Sequence, residues 1–333
     1  LVALCDVDSQ VLEKGRADLA KDGIQVQTFT DVRKLLESGE IDAISTATPN
    51  HWHALLATWA CQAGKDVYVE KPVSHNVWEG RQIVAAARKY GRIVQTGTQS
   101  RSNPGLRDAI AWLHEGNLGK IQVARGLCYK QRDSIGKTTG DQKVPASINY
   151  DLWTGPADMV QPHRNSPKYG PVHYDWHWFW NYGGGDLCNQ AIHEIDIARW
   201  FLGTHEVATE VVSVGGRFGY VDCAETPNTF ISIHNYADAP LITEVYGLTS
   251  DGQINGPMNK FGKFSELNKG QKSAKSPEIG IIVECENATI IVPDYNSAQV
   301  YDKDGKFVEI PGTEKDYKAD LVLLAMGFVN PVA

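Results

Sequence analysis

The chain of 333 residues is long enough for about two domains, and its apolar fraction of 42% with 22% charged residues is ordinary for a globular protein. A net charge of -8 with no Lys/Arg-rich run argues against a nucleic-acid partner. No apolar run approaches the roughly 18 residues of a membrane span. The six cysteines are scattered without a C-x-x-C, so they read as reduced core residues, not as metal ligands or a disulfide framework.

Residue 1 is Leu, and Leu1 to Cys5 already reads as a buried strand ending in Asp6-Val7-Asp8. In a dinucleotide-binding unit, a carboxylate at the tip of the second strand accepts hydrogen bonds from the adenosine ribose, about 20 residues after a glycine-rich turn. Asp6 fits that place, so the expectation is that about 30 residues carrying the first strand and the turn precede Leu1. Any leader would precede it too, which leaves cytoplasm and periplasm both open.

The pattern then alternates. A helix is predicted over 11–21, a strand over 26–29, a helix over 31–38 with Asp31 near its start, a strand over 41–47 and a helix over 54–63 stopped by Gly64. Val67 to Val69 reads as a central strand, and Pro72 turns the chain immediately after Glu70-Lys71. A helix over 77–90 and a strand over 93–97 complete five strands alternating with helices, which predicts a doubly wound parallel sheet. Ligands bind at the carboxyl ends of such strands, so right-handed crossovers would bring Thr48-Pro49-Asn50 and Lys71 to one edge.

A second unit follows. A helix over 104–115 and a strand over 120–130 precede β-branched runs at 210–214, 229–234, 242–246, 279–285 and 288–292, as an open, mainly antiparallel sheet would give. Domain boundaries are expected at 1–102, 103–312 and an atypical tail at 313–333. Between the strands, Gly183-Gly184-Gly185-Asp186 breaks the chain and offers Asp186 as N-cap for a helix over 187–202. On a continuous helix Asn189, His193 and Asp196 would share a face, and a histidine so flanked can serve as an acid or base. The aromatic run Asp175-Trp176-His177-Trp178 would suit a carbohydrate, or equally core packing. Lys130, Arg132, His163 and Arg164 fall on expected loops and could meet an acidic sugar.

Asp6, Thr48-Pro49-Asn50-His51-Trp52-His53, Glu70-Lys71-Pro72 and His193 together resemble the glucose-fructose oxidoreductase, inositol dehydrogenase and MocA family, over about residues 1–310. That resemblance implies NAD in the first domain, with NADP still open although the Asp6 carboxylate would repel a 2'-phosphate. Cofactor contacts are implied at Asp6, Thr48, Pro49, Asn50, His53, Glu70, Lys71 and Gln99. Lys71, His193 and Asn189 become the catalytic candidates, and Lys130, Arg132, Asp175, Trp176, His177, Trp178 and Asp186 the substrate candidates; no metal is implied. The activity implied is oxidation of a sugar, polyol or sugar derivative, with an NAD-dependent glycosidase or a non-catalytic dinucleotide sensor as alternatives. A homo-oligomer through the open sheet is also implied.

One departure stands out: the common family form carries Asp four residues before the histidine, where this chain has Asn189. Asn cannot share a proton, so charge would come from Asp186 or Asp196. The segment 319–331 resembles instead the strand-and-turn near the end of glutamate synthase small subunits, and no flavin function is expected from it.

Overall fold

The computed structural model describes residues 1–248 and 279–308. Its first half contains β1 (Ala3–Cys5), α1 (Ser9–Lys21), β2 (Gln27–Phe29), α2 (Val32–Leu36), β3 (Ala43–Thr46), α3 (Asn50–Gln62), β4 (Asp66–Val69), α4 (Val77–Tyr90) and β5 (Val94–Thr96). All five strands are parallel, but they form two ladders, β1-β2 and β3-β4-β5. Both ladders pack on one apolar core that includes Ile41, Ala57, Cys61, Val67, Val69 and Ile83. The side-chain caps come from residue types that compete with the backbone for hydrogen bonds: Asp8 accepts from Gln10 N, Asp31 from Arg33 N and Asn76 from Glu79 N.

Helix α3 differs from its prediction. It begins at Asn50, because Pro49 sits at its N-cap with extended backbone and leaves the following residues free to wind. Asn50, His51, Trp52 and His53 are therefore helical, not loop.

The second half holds α5 (Pro104–His114), β6 (Ile121–Cys128), α6 (Tyr150–Thr154), α7 (Ile192–Leu202), β7 (Glu210–Gly216), β8 (Thr229–Asn235), β9 (Leu241–Tyr246), β10 (Ile279–Cys285), β11 (Ala288–Val292) and β12 (Gln299–Asp302). Among the described residues the strands form one seven-stranded sheet in the order β12-β11-β10-β6-β9-β8-β7, antiparallel except for the β6–β9 pair. Helices α5 and α7 seal one face of it, with Leu106, Ile110, Ile197, Phe201, Leu241 and Ile281 in the shared core. The sealed face is apolar because side chains alternate across a strand.

The helix predicted over 187–202 is not one uninterrupted α-helix. Leu187–Ala191 winds as a π turn before α7 begins at Ile192, and Asp186 makes no side-chain cap. The wider turn shifts Asn189 out of the i, i+4 register with His193, whereas His193 and Asp196 both lie on α7. The tail at 313–333 lies outside the described residues.

Between β6 and the π turn runs a long excursion, and it grips the first half at both ends. Ser9 N donates to Ser147 O at 2.9 Å, Asn149 N to Val7 O at 2.9 Å, and His173 pairs with the buried Asp8 at 3.0 Å. Farther along, His51 N donates to Tyr182 O at 3.2 Å, and Trp52 Nε1 to Trp153 O at 2.9 Å. Gly155 is needed there, since its φ is +51° and a Cβ would lie 2.1 Å from the Trp52 ring.

Candidate active site

The carboxyl ends of β3, β4 and β5 lie side by side, which follows from their parallel registers. At the end of β4, Lys71 N donates to the Glu70 carboxylate at 3.1 Å, and the Lys71 ammonium crosses to the second half to donate to the backbone carbonyl of Asn189. Burial pulls the Lys71 ammonium below the usual lysine range, and the Glu70 charge opposes that shift.

His193 stands one turn after Asn189. Its ring is half-buried and lies 5.7 Å, centroid to centroid, from Tyr295. Burial, then the Lys71 charge, then the Lys130 charge push it down to about 4. The imidazole is thus neutral across ordinary pH, which leaves it a lone pair to take a proton. Lys71 and His193, 122 positions apart (193 minus 71), thus come near enough for the Lys71 charge to act on the imidazole.

Two groups fit the dinucleotide that the fold implies. Asp6, at the tip of β1, accepts Asp8 N at 2.8 Å through one oxygen, and burial raises its pKa. The Asn50 amide nitrogen is buried without a partner at the start of α3, a donor left for a ligand beside the β3 loop. Thr48, Pro49 and Gln99 flank the same strand ends, with Thr48 Oγ1 at 3.3 Å from Thr46 Oγ1 and Gln99 opening the short turn after β5.

His53 has another place. It is 1% exposed, and its ring nitrogens lie 2.6 Å from Pro72 O and 2.7 Å from Thr48 O. Both nitrogens face main-chain carbonyls, and the neutral ring donates to one of them, so it sits between the loops after β3 and β4 and turns no atom elsewhere.

Other expected residues are likewise engaged by the protein. Asp186 and Arg132 pair with each other, with Nη2 to Oδ1 at 2.7 Å, and the Arg132 guanidinium also stacks 5.5 Å over Trp178. Trp178 is buried, while Trp176 stacks on His177 with centroids 3.7 Å apart. His177 Nδ1 donates to Tyr174 O at 2.5 Å, and burial pushes the imidazole down to about 4. Asp175 is buried with one oxygen unpartnered. Close approach explains the glycine triplet, since a Cβ on Gly183 would meet His177 O at 2.7 Å.

Three expectations are corrected. Asp196 does not support His193: its carboxylate is taken by Arg101, with Nη2 to Oδ1 at 2.8 Å. Arg164 is no solvated loop cation: it is 2% exposed and caged by the Trp153, Phe179 and Tyr182 rings at 5.0 to 5.5 Å. His163 sits on Asp141 at 3.4 Å with its side chain 49% exposed, away from this cluster.

Glu194 is the residue that sequence reasoning missed. Fully buried behind His193, it accepts from the Tyr295 hydroxyl, and burial pushes it up to about 7. Its signal in the sequence was only a carboxylate next to the histidine. Among the described residues, no group of three or more His, Cys, Asp or Glu side chains could hold a metal ion, and no helix is long and apolar enough to cross a membrane.

Parallel ladders with their strand ends turned toward a helix on a second, mainly antiparallel sheet give a Rossmann-like unit joined to a mixed-sheet unit. Comparison with known proteins agrees. Residues 1–98 match the oxidoreductase family's NAD-binding Rossmann fold and residues 113–260 its C-terminal alpha/beta domain. The chain belongs to the glucose-fructose oxidoreductase, inositol dehydrogenase and MocA family, which binds NAD through that Rossmann domain.

Among curated relatives, scyllo-inositol 2-dehydrogenase (NAD(+)) of Bacillus subtilis (strain 168) is 26% identical over 204 residues, 61% of this chain and 46% of that protein. Levoglucosan dehydrogenase of Pseudarthrobacter phenanthrenivorans (strain DSM 18606 / JCM 16027 / LMG 23796 / Sphe3) is 26% identical over 184 residues, 55% of this chain and 39% of that protein. The chain spans less than half the length of these two relatives. The WlbA dehydrogenase of Bordetella pertussis, solved with NADH and UDP-GlcNAcA, superposes with a TM-score of 0.63 at 19% identity, covering 93% of this chain and 70% of that one, a likeness of fold.

Proposed function

We propose that this protein is an NAD-dependent dehydrogenase that oxidises a CH–OH group of a sugar, polyol or sugar derivative, with Lys71 and His193 as its catalytic residues. The observation that carries this reading is the reach of the Lys71 ammonium to the Asn189 carbonyl, beside a neutral His193. Bound NAD supplies the hydride acceptor. His193 takes the hydroxyl proton, and Lys71 stabilises the negative charge that develops on the oxygen. Asn189 acts through its main-chain carbonyl, which holds Lys71 in place; an Asp at that position is not needed for this contact. Relatives named for inositol and levoglucosan support the substrate class.

The unpaired edges of β1 and β3 support a further part of the reading. Each has a partner on one side alone, and Ala43 and Ser45 of β3 are exposed. We infer that the first strand and glycine-rich turn of the dinucleotide unit, upstream of Leu1, fill the slot between them. Self-association is inferred for the open face of the larger sheet, where Val212, Val214, Ile231 and Ile233 are 53%, 73%, 45% and 38% exposed on paired strands.

The test is to express the full reading frame and follow NADH formation across a panel of polyols, sugars and sugar acids. Turnover lost in Lys71→Ala and His193→Ala while NADH still binds supports the assignment. A wild-type protein that binds NADH and turns over nothing would instead fit the sensor reading.

A further inference from the structure

Three cations line the wall between β4 and α7, and their partners differ. Arg132 is neutralised by the Asp186 carboxylate at 2.7 Å. Lys71 lies beside Glu70 and donates to the Asn189 carbonyl. Lys130 has an uncharged partner: its ammonium donates to Gln190 Oε1 at 3.2 Å. An ammonium carries three donors, so the Gln190 bond uses one of them.

Behind Lys130 runs a directed chain of hydrogen bonds. Gln190 Nε2 donates to the Tyr295 hydroxyl at 2.7 Å, and Tyr295 donates to Glu194 Oε1, which Gln190 Nε2 also approaches at 3.4 Å. Every donor points away from Lys130 and toward the buried carboxyl. The chain fixes the Gln190 amide so that its oxygen faces the lysine, and the Tyr295 ring at its centre also touches His193. The lysine head is thereby held next to the proposed base, and among the described residues its charge is balanced at a distance, through two neutral side chains. A compact, hydrated point charge so placed is suited to an anion.

We propose that Lys130, oriented by Gln190, Tyr295 and Glu194, is a specificity-determining residue that takes a carboxylate on the substrate, so that the preferred ligand is a sugar acid over a neutral sugar or polyol. This rests on the reading above that the substrate lies between Lys71 and His193. Glu194 and Tyr295 are positioning residues in this scheme, since they act through Gln190.

The experiment is calorimetric titration of the protein–NADH complex, from the full reading frame, with D-glucuronate and D-gluconate against D-glucose and myo-inositol. At least one acid should bind about tenfold or more tightly than its neutral counterpart, the range of a charged hydrogen bond. Lys130→Met should bring the acid-to-neutral ratio to within about twofold, and Lys130→Arg should retain part of it. Tyr295→Phe, which removes one hydroxyl, should lower the ratio about threefold to fivefold, and in turnover that loss should sit in KM and not in kcat. Equal binding of acid and neutral ligands, binding of none of the four, or an undiminished ratio in Lys130→Met would overturn the proposal. Acid preference without turnover would leave it standing while removing the dehydrogenase assignment.

Discussion

The two sheets hold their chemistry in different ways. In the first half the strands are three or four residues long, and the functional groups sit on turns secured by polar contacts: His53 between two carbonyls, Asp6 on Asp8 N, Lys71 on Asn189. In the second half the strands reach eight residues, β11 is buried throughout, and α7 presses its apolar side into the sheet. His193 is therefore carried by a helix anchored through burial, whereas Lys71 is carried by a turn anchored through hydrogen bonds. A site assembled this way is sensitive to lost polar contacts on one side and to lost packing on the other.

The largest break in that comparison should come from the turn. Lys71→Ala should lower kcat/KM by about a hundredfold to a thousandfold, the usual effect of removing one electrostatic stabiliser, with NADH affinity changed far less. Next is the grip between the halves. Gly155→Ala forces a Cβ into the Trp52 ring at a left-handed φ, and should cost about 2 to 4 kcal/mol in chemical denaturation. If it costs nothing, the excursion from the second half does not clamp α3.

Acidification should act through the buried histidines. His51, His177 and His193 are each pushed down to about 4 from 6.5, chiefly by burial. Between about 4 and 6.5 the unfolded chain binds protons that the folded chain refuses, so stability should rise with pH across this window and fall as pH drops. Glu194, pushed up from 4.5 to about 7, works in the opposite sense between those values. Three groups outweigh one, so acidification should lower stability on balance, readable as a falling denaturation midpoint. The smallest effect concerns the open face. Ile231→Asp should leave secondary structure intact while shifting the protein to a smaller species in light scattering, and an unchanged mass would remove that face as the interface.

Much of the first half was legible because local signals agreed with one another. Asp31 before an apolar repeat, Gly64 after one, and a short β-branched strand ending in Glu70-Lys71-Pro72 each have a single good structural reading. The start of α3 was misread because His51, Trp52 and His53 have loop-like polarity, and only contacts with Trp153 and Pro72, distant in sequence, explain their burial. The π turn has no local sequence signature; it directly follows the Asp186 ion pair and the crowded glycines, whose partners are distant in sequence. Arg164 and Glu194 were hidden for the same reason. Burying a charge is favourable only when distant residues form its surroundings, and neither the aromatic cage nor Tyr295 is near its charge in sequence.

The central claim is that Lys71 and His193 act on one small molecule. A double-mutant cycle on the rate of hydride transfer, with Lys71→Ala, His193→Ala and the pair, tests it most directly. The account predicts strong non-additivity, with the double variant little slower than the slower single variant. Free-energy effects that simply add would show that the two groups act independently, and would contradict the shared site.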